Sequence, residues 1–211
     1  MTELDGLRAA LLDGQVALLP TDTVYGLMAA LDVPKGVAAL YELKGRSREQ
    51  PCQVVVYSRA GLDDLLATLP LAICEVVAAL LPGPVTTIVP DPTGRYAAAA
   101  GAESGSVGVR APVVTGVLAR LDLPLIATSA NHPGEPDAAS LSTVSPDLRR
   151  GCGIVVDAGT LSATPSAVVD LRGLEGGAPA RLIRPGADPD ALAARIRACG
   201  VDVDWLSGGG R

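Results

Sequence analysis

The sequence predicts an α/β protein, a three-layer domain in which helices flank a twisted, mixed β-sheet. Short apolar runs, typical of buried strands, alternate along the chain with amphipathic segments of helical period. Hydrophobic residues make up 48% of the 211 residues, which suffices for one core, whereas aromatic residues make up only 2% and Phe is absent. Val, Leu, Ile and Ala must therefore fill that core.

Local signals place the elements in order. Thr2 caps the first helix, Asp5 completes a weak capping box, and Gly14 stops it. Amphipathic patterns predict helices at 3–12, 34–43, 62–69, 71–81, 113–121, 140–148 and 190–198. Apolar runs between turn residues predict strands at 15–19, 26–31, 53–57, 85–89, 107–110, 124–128, 154–157, 167–171 and 181–183. Residues 91–105 are expected to form an exposed loop.

Charge and cysteine content exclude several classes of protein. The net charge of −6 argues against a broad nucleic-acid surface, although a local basic cavity is compatible with it. The chain shows no signal peptide and no apolar run of about 18 residues, so a cytoplasmic protein without a membrane segment is expected. Free thiols are then expected at Cys52, Cys74, Cys152 and Cys199. With a single histidine, the usual zinc ligand spacings are missing.

Polar residues interrupt the apolar strands at six places. The stretches are "PTDTVYG", "LKGRSREQP", "VGVRAP", "IATSANHPGEP", "TPSAVVD" and "LIRPG". Ligands of open α/β sheets collect at strand ends, where the connecting loops diverge. The six clusters therefore predict one shared cavity.

The chemistry of these clusters is dominated by fixed positive charge. Lys44, Arg46, Arg110 and Arg184 suit carboxylate and phosphate oxygens, while no pair of carboxylates and no second histidine accompanies them. Such a set binds and orients anions but offers little acid–base catalysis, which favours a reaction such as nucleotidyl transfer. No P-loop or dinucleotide fingerprint is present.

Each cluster also has a plain structural interpretation. Lys44 and Arg46 are suited to the C-terminus of a helix, where the macrodipole favours cations. Arg110 and Arg184 could be solvated strand ends. The stretch 21–25 could be a turn closed by its own Thr and Asp side chains. His132, beside a proline, is expected to be a loop residue. Taken one by one, these signals decide little.

Taken in order, the stretches resemble the YrdC-type threonylcarbamoyl-adenylate synthase family in its single-domain form. The combination of "PTDTVYGL", "KGR", "PGPVTTIV", "SAN", "SAVVDL" and "LIRPG" is specific, and the matching stretches span residues 15–190. The resemblance implies a single YrdC-like catalytic domain over residues 1–200 with a concave cationic cavity. Residues 201–211 are expected to form a flexible tail.

The resemblance also implies a reaction. L-threonine, bicarbonate and ATP, with Mg²⁺ carried by the ATP, would give threonylcarbamoyl-AMP and pyrophosphate. The threonine amine and bicarbonate would form a carbamate, whose oxygen attacks the α-phosphate. The product would pass to tRNA-modifying transferase proteins that act on adenosine 37, so that tRNA is involved indirectly.

Site residues are implied position by position. Lys44 and Arg46 are assigned to catalysis at the ATP phosphates. The resemblance completes the ATP site with Ser129, Asn131 and Arg184. It assigns threonine to Thr23, Tyr25, Arg110, Thr128 and Ser166. No resident metal ligand is implied.

Four positions depart from the family pattern, and two other functions compete. Arg46 is followed by Ser47 where the family commonly has Pro, and Pro51 is followed by Cys52 where it commonly has Leu. Pro133 and Ala167 stand where the family has Ser and Thr, so one hydroxyl near the substrate is expected to be missing. A module that binds double-stranded RNA or a nucleotide without synthase activity is one alternative, against which the acidic charge counts. A carbamoyl-transfer domain like those of hydrogenase-maturation proteins is the other, although its usual acylphosphatase and zinc-finger modules are not seen.

Overall fold

The computed structural model describes residues 2–102 and 105–205. Within them, ten strands form one mixed sheet in the order β10-β9-β8-β4-β5-β3-β6-β2-β1-β7. The strands are β1 Ala17–Pro20, β2 Tyr25–Ala30, β3 Gln53–Val55, β4 Val85–Pro90, β5 Ser106–Arg110, β6 Leu125–Ser129, β7 Ile154–Val155, β8 Ala167–Asp170, β9 Ala180–Arg184 and β10 Val203–Trp205. The predicted mixed sheet is confirmed.

Helices cover both faces of this sheet. They are α1 Glu3–Leu12, α2 Pro34–Lys44, α3 Arg59–Leu66, α4 Leu71–Leu80, α5 Ala97–Ala100, α6 Pro146–Arg150 and α7 Pro189–Ala198. Val54 of β3 belongs to a large apolar cluster with Leu40 of α2 and Ile73 of α4, whereas its neighbour Val55 belongs to a smaller cluster with Leu11 of α1. Because adjacent strand residues point to opposite faces, the two clusters lie on opposite sides of the sheet, as a three-layer domain requires.

The first helix begins and ends where the sequence predicts. The hydroxyl of Thr2 accepts the N–H of Asp5, whose carboxylate accepts the N–H of Thr2 in return. The helix ends at Leu12, and Gly14 follows with a left-handed φ of 82°. A capping box and a glycine stop are signals carried by adjacent residues, which is why the sequence alone fixes these bounds.

The helix predicted at 113–121 is wrong. The structure has only a short 3-10 turn there, at Leu118–Arg120. Gly116 adopts a left-handed φ of 69°, which no α-helix contains. The apolar spacing of this segment reflects packing of its loop, since Leu118 belongs to the smaller apolar cluster.

The helix predicted at 140–148 is split. A 3-10 turn at Leu141–Thr143 is followed by α6, which begins at Pro146. Proline lacks the N–H that a helix interior needs, so it is found in the first turn instead. Similarly, α3 begins at Arg59, three residues earlier than predicted, because the hydroxyl of Ser58 accepts the N–H of Gly61 as an N-cap.

The loop and tail predictions also need correction. The stretch 91–105 contains α5, whose Ala99 is fully buried, and residues 103–104 lie outside the described residues. The tail was expected to begin at residue 201, but Val203–Trp205 pair with β9 as a parallel edge strand. Residues 206–211 lie outside the described part of the chain. None of the helices in the described ranges is long and apolar enough to span a membrane.

Candidate functional site

A cavity of about 410 Å³ lies over one face of the sheet. Ser106, Gly108 and Arg110 of β5 alternate onto that face and line it. Gly108 keeps the floor low, because a Cβ there would lie 3.3 Å from the side-chain methyl of Thr86. Ala127 of β6, which pairs with Gln53 of the neighbouring strand β3, is another small residue of the floor. Small residues in the middle of the sheet thus leave room for a ligand.

Six of the predicted site residues line this cavity, namely Tyr25, Arg110, Thr128, Ser129, Ser166 and Arg184. The other four, Thr23, Lys44, Arg46 and Asn131, lie beside it and bond to its lining or to one another. The cavity does not gather strand ends from a single edge. Arg110 and Leu125, the first residue of β6, are both in register with Val55 of β3. Ser129 is the last residue of β6 and so lies at the other end of that strand. In this mixed sheet, residues from opposite ends of the strands therefore meet over the face that carries the cavity.

The "PTDTVYG" stretch is a turn between β1 and β2 that its own side chains close. The hydroxyl of Thr21 donates to the carbonyl of Val24 at 2.7 Å and accepts the N–H groups of Thr23 and Val24, both at 3.1 Å. The structural interpretation of this stretch is therefore correct for Thr21. The turn is nevertheless part of the site, because Thr21 also lines the cavity.

Arg110 is held by this turn. Its Nη2 donates to the hydroxyl of Thr23 at 2.6 Å and to Oδ1 of Asp22 at 2.5 Å, and lies 3.2 Å from the hydroxyl of Thr21. The other carboxylate oxygen of Asp22 accepts the N–H of Val113. Asp22, which sequence reasoning left without a role, thus fixes the arginine predicted to meet the threonine carboxylate.

Tyr25 is among the residues that line the cavity, and its hydroxyl is engaged elsewhere. That hydroxyl accepts the N–H of Ala158 at 2.8 Å and lies 2.9 Å from the carbonyl of Gly159 and 3.2 Å from Oδ1 of Asp157. The side chain is fully buried, and burial raises the pKa of the phenol. Tyr25 thereby anchors the segment that leads from β7 toward β8.

A chain of hydrogen bonds forms the opposite wall. Nε of Arg184 donates to the carbonyl of Ser166 at 2.7 Å, and its Nη2 donates to the hydroxyl of Ser166 at 3.2 Å. That hydroxyl lies 3.1 Å from the hydroxyl of Thr86, which donates to Gln53 at 3.0 Å. Sequence reasoning missed Thr86 and Gln53, although a polar residue in the otherwise apolar strand "VTTIV" is a usable signal.

Lys44 and Arg46 support the rim of the cavity from behind. Nζ of Lys44 donates to the carbonyls of Ser129 and Asn131 and to the side-chain oxygen of Asn131. Nη1 of Arg46 donates to the hydroxyl of Thr128 at 3.4 Å, and its Nη2 to the carbonyl of Pro51. Burial and, after it, the neighbouring charge of Arg46 lower the pKa of Lys44 to about 8. The three hydrogen bonds of the Lys44 ammonium group thus go to Ser129, at the end of β6, and to Asn131 in the loop that follows.

The cations of the site fall into two groups. Arg110 is paired with Asp22, and Arg172, a lining residue that sequence reasoning missed, forms a double hydrogen bond with Asp170. Burial opposes ionisation of Asp170, but the Arg172 hydrogen bonds outweigh it and lower the pKa of that carboxyl. Within residues 2–102 and 105–205, Lys44, Arg46 and Arg184 have no carboxylate within ion-pair distance. The second group has charge left for an anion.

The remaining sequence expectations can be placed. The four cysteines are free, and Cys52 lines the cavity with a thiol whose pKa burial raises. His132 bonds to Ser145 and Asp147 in the loop after β6, apart from the cavity lining. In the described ranges, no group of three or more His, Cys, Asp or Glu side chains is arranged to hold a metal ion.

Of the departures from the family pattern, Cys52 lines the cavity, whereas Pro133 and Ala167 lie away from it. Pro133 is exposed, and Ala167 is buried in the large apolar cluster on the opposite face, between the lining residues Ser166 and Val168. A hydroxyl at position 167 would point into the core, because alternate strand residues face opposite sides. The expectation that a substrate-facing hydroxyl is missing at this position is wrong.

Comparison with known proteins was made by sequence and by structure. The Sua5/YciO/YrdC family model, described as telomere recombination, matches residues 9–186. The chain is 35% identical over 176 residues to the threonylcarbamoyl-AMP synthase of Xanthomonas euvesicatoria, covering 81% of this chain and 94% of that protein. It is 30% identical to the threonylcarbamoyl-AMP synthase of Bacillus subtilis, covering 72% of this chain and 44% of that protein.

A solved structure agrees. The crystal structure of Pyrococcus abyssi Sua5 complexed with L-threonine superimposes with a TM-score of 0.77 at 26% identity, over 97% of this chain. The present chain spans 60% of the length of that protein. Since the family model covers most of the chain and a relative at 35% identity is covered almost throughout, the chain belongs to the Sua5/YciO/YrdC family.

Proposed function

We propose that the protein is an L-threonylcarbamoyl-AMP synthase, a nucleotidyltransferase that makes threonylcarbamoyl-AMP and pyrophosphate from L-threonine, bicarbonate and ATP. One observation carries the proposal: one cavity has a hydroxyl-rich wall at Arg110 and a second wall at Arg184, with Lys44 and Arg46 beside it. Lys44, Arg46 and Arg184 lack carboxylate partners among the described residues. The names of the Xanthomonas and Bacillus relatives and the threonine complex of Sua5 support it.

The cations without carboxylate partners suit the triphosphate of ATP. Two like-charged substrates, the phosphates and a carbamate, must be held together, and fixed cations in a sheltered cavity screen their repulsion. Arg184 faces the cavity directly, whereas Lys44 acts through the carbonyls and amide of residues 129–131. Magnesium would enter with ATP as part of the substrate.

The other wall suits an amino acid with a hydroxyl. Arg110 supplies a guanidinium for the carboxylate, and its orientation is fixed by Asp22 and the hydroxyl of Thr23. Thr128 and Ser166 also line the cavity, and the hydroxyl of Ser166 suits the threonine hydroxyl or the carbamate. The cavity volume of about 410 Å³ is that of a small-ligand site.

The reaction then needs positioning more than proton transfer. The neutral threonine amine attacks the bicarbonate carbon and water leaves, giving a carbamate. A carbamate oxygen attacks the α-phosphorus, the bond from that phosphorus to the bridging oxygen breaks, and pyrophosphate leaves with the electron pair. Among the described lining residues only Asp137 carries a carboxylate, which fits a mechanism of orientation and charge neutralisation. We further propose that the product is consumed by tRNA-modifying transferase proteins acting at adenosine 37.

A pyrophosphate-release assay tests the function. Release is expected only when threonine, bicarbonate and ATP are all present, and it should fall sharply when serine replaces threonine. Arg110→Met, which removes the guanidinium, should abolish release at the same threonine concentration. Release by the wild-type protein no faster than a blank without enzyme would reject the proposal.

A further inference from the structure

Asp137 is an acidic side chain of the cavity that neither the motifs nor the resemblance assign. It lies in the long loop after β6, and the main chain around it is pinned. The carbonyl of Ala138 accepts the N–H of Tyr25 at 2.8 Å, and the carbonyl of Ala139 accepts the N–H of Leu161 at 2.8 Å. The side chain of Asp137 lines the cavity. Its place is therefore set by the sheet and the segment that crosses it.

The carboxylate of Asp137 differs from the other acids near the site. Asp22 is paired with Arg110, and Asp170 with Arg172. Asp137 has no hydrogen bond or ion pair within residues 2–102 and 105–205. Its charge is nevertheless felt at Lys44 and Arg184, since in both cases burial lowers the pKa of the cation and the Asp137 carboxylate acts in the opposite direction.

An unpaired carboxylate at this place is unfavourable for an anion bound there. Phosphates attracted by Lys44 and Arg184 would be repelled by Asp137 in the same sheltered region. A metal cation between the phosphates and the Asp137 carboxylate would attract both and so remove that repulsion. Mg²⁺ prefers oxygen ligands and is commonly held by one or two carboxylates together with substrate phosphates and waters. The donor chemistry of Asp137 fits this ion.

We propose that Asp137 is the protein ligand of the Mg²⁺ ion that accompanies the ATP phosphates. This inference rests on the proposed function, because it takes the cations near Asp137 as the phosphate site. It assigns this chain a metal contact supplied by a single carboxylate. It also predicts that Asp137 opposes the binding of metal-free ATP, since without the ion only the repulsion remains.

The test is calorimetric titration with an ATP analogue that carries a methylene group between the α- and β-phosphates. Wild-type protein is expected to bind the analogue more tightly with Mg²⁺ than with EDTA. In Asp137→Asn the affinity with Mg²⁺ should fall by about tenfold, the value of one charge-assisted contact. The affinity with EDTA should stay the same or rise. Bound Mn²⁺, followed by its paramagnetic resonance in place of Mg²⁺, should be lost in parallel.

Glu135→Gln is the matched control. Glu135 lies on the same loop, and its carboxylate bonds to the N–H of His132 outside the cavity. This variant removes an equal charge and should leave the Mg²⁺ dependence as in wild type. If it reproduces the effect of Asp137→Asn, general charge and not a metal contact is responsible, and the inference is overturned.

The other outcomes are separable. An Asp137→Asn protein that keeps the wild-type difference between Mg²⁺ and EDTA overturns the inference and leaves the proposed function standing. A loss confined to threonine affinity would assign Asp137 to the substrate ammonium group, which also overturns it. Wild-type protein that binds the analogue under neither condition would overturn the nucleotide site and the proposed function with it.

Discussion

The guanidinium of Arg110 and the carboxylate of Asp22 form an ion pair of 2.5 Å between two segments 88 residues apart. Their side chains are only 3% and 13% exposed. A carboxylate of the protein therefore already occupies one end of the arginine predicted to bind the substrate carboxylate. The pair fixes the orientation of Arg110 before any ligand arrives.

Asp22→Asn should destabilise the protein strongly. Removing one partner of a nearly buried ion pair leaves the other charge uncompensated, which costs about 3–5 kcal/mol in the free energy of unfolding. Urea denaturation measures this. Asp63→Asn is the control, because its pair with Arg59 is exposed on α3 and should be worth only about 0.3–0.5 kcal/mol. Equal losses in the two variants would mean that the Asp22 pair is not buried in solution.

Lys44→Ala and Arg46→Ala should weaken ATP far more than threonine. Each substitution removes charge-assisted contacts next to the proposed phosphate site. The loss of one such contact costs about 1.5–3 kcal/mol, or more than tenfold in affinity. Lys44→Ala should also raise hydrogen exchange in residues 129–131, since Nζ holds that loop. Calorimetry and exchange followed by mass spectrometry measure the two effects. Unchanged ATP affinity in both variants would contradict the assignment.

The titration of Lys44 should act in opposite directions on binding and on stability. Its pKa of about 8 lies below the ordinary lysine value of 10.5. Nucleotide affinity should therefore fall as the pH rises through about 8. Between pH 8 and 10.5 the unfolded chain holds the proton that the folded chain has lost, so the stability contribution of Lys44 rises with pH. Lys44→Met should lack both trends. Parallel pH profiles in the variant and the wild type would exclude Lys44 as their source.

Tyr25→Phe should affect stability more than threonine binding. The lost hydroxyl bonds to the 158–159 segment, so a cost of about 1 kcal/mol is expected. Thr23→Val is the comparison, because its hydroxyl contacts Arg110 in the proposed threonine site, and threonine affinity should fall by about tenfold. Binding calorimetry and denaturation distinguish the two variants. A large loss of threonine affinity in Tyr25→Phe would place its hydroxyl on the substrate.

Ala167→Thr, which restores the family residue, should destabilise the protein without changing threonine affinity. Ala167 is buried in the large apolar cluster, and a Cβ on the adjoining Gly186 would already lie 2.9 Å from its side chain. Adding two heavy atoms there overpacks the core by about 1–3 kcal/mol. Thermal denaturation and threonine titration check the two halves of this prediction. Tighter threonine binding would show that position 167 reaches the site.

Local signals were predictable and contacts between distant segments were not. The capping box of Thr2 and Asp5 and the apolar strands were correct because adjacent residues decide them. The helix at 113–121 was wrong because apolar spacing does not reveal the left-handed φ of Gly116. The contacts of Asp22 and Thr86 and the place of Asp137 in the cavity lining were missed, because each depends on which distant strand or loop lies opposite.

The sequence by itself determined the fold class, most of the strands, the family and ten of the residues in or beside the cavity. These follow from periodicity and from motifs whose members are close in the chain. Only the tertiary structure decided the partner of each side chain: Tyr25 with the 157–159 segment, Lys44 with the loop after β6, and Arg110 with Asp22. The reason is that strand order and register bring together groups up to 134 residues apart, and the charge left over after this pairing defines where an anion can bind.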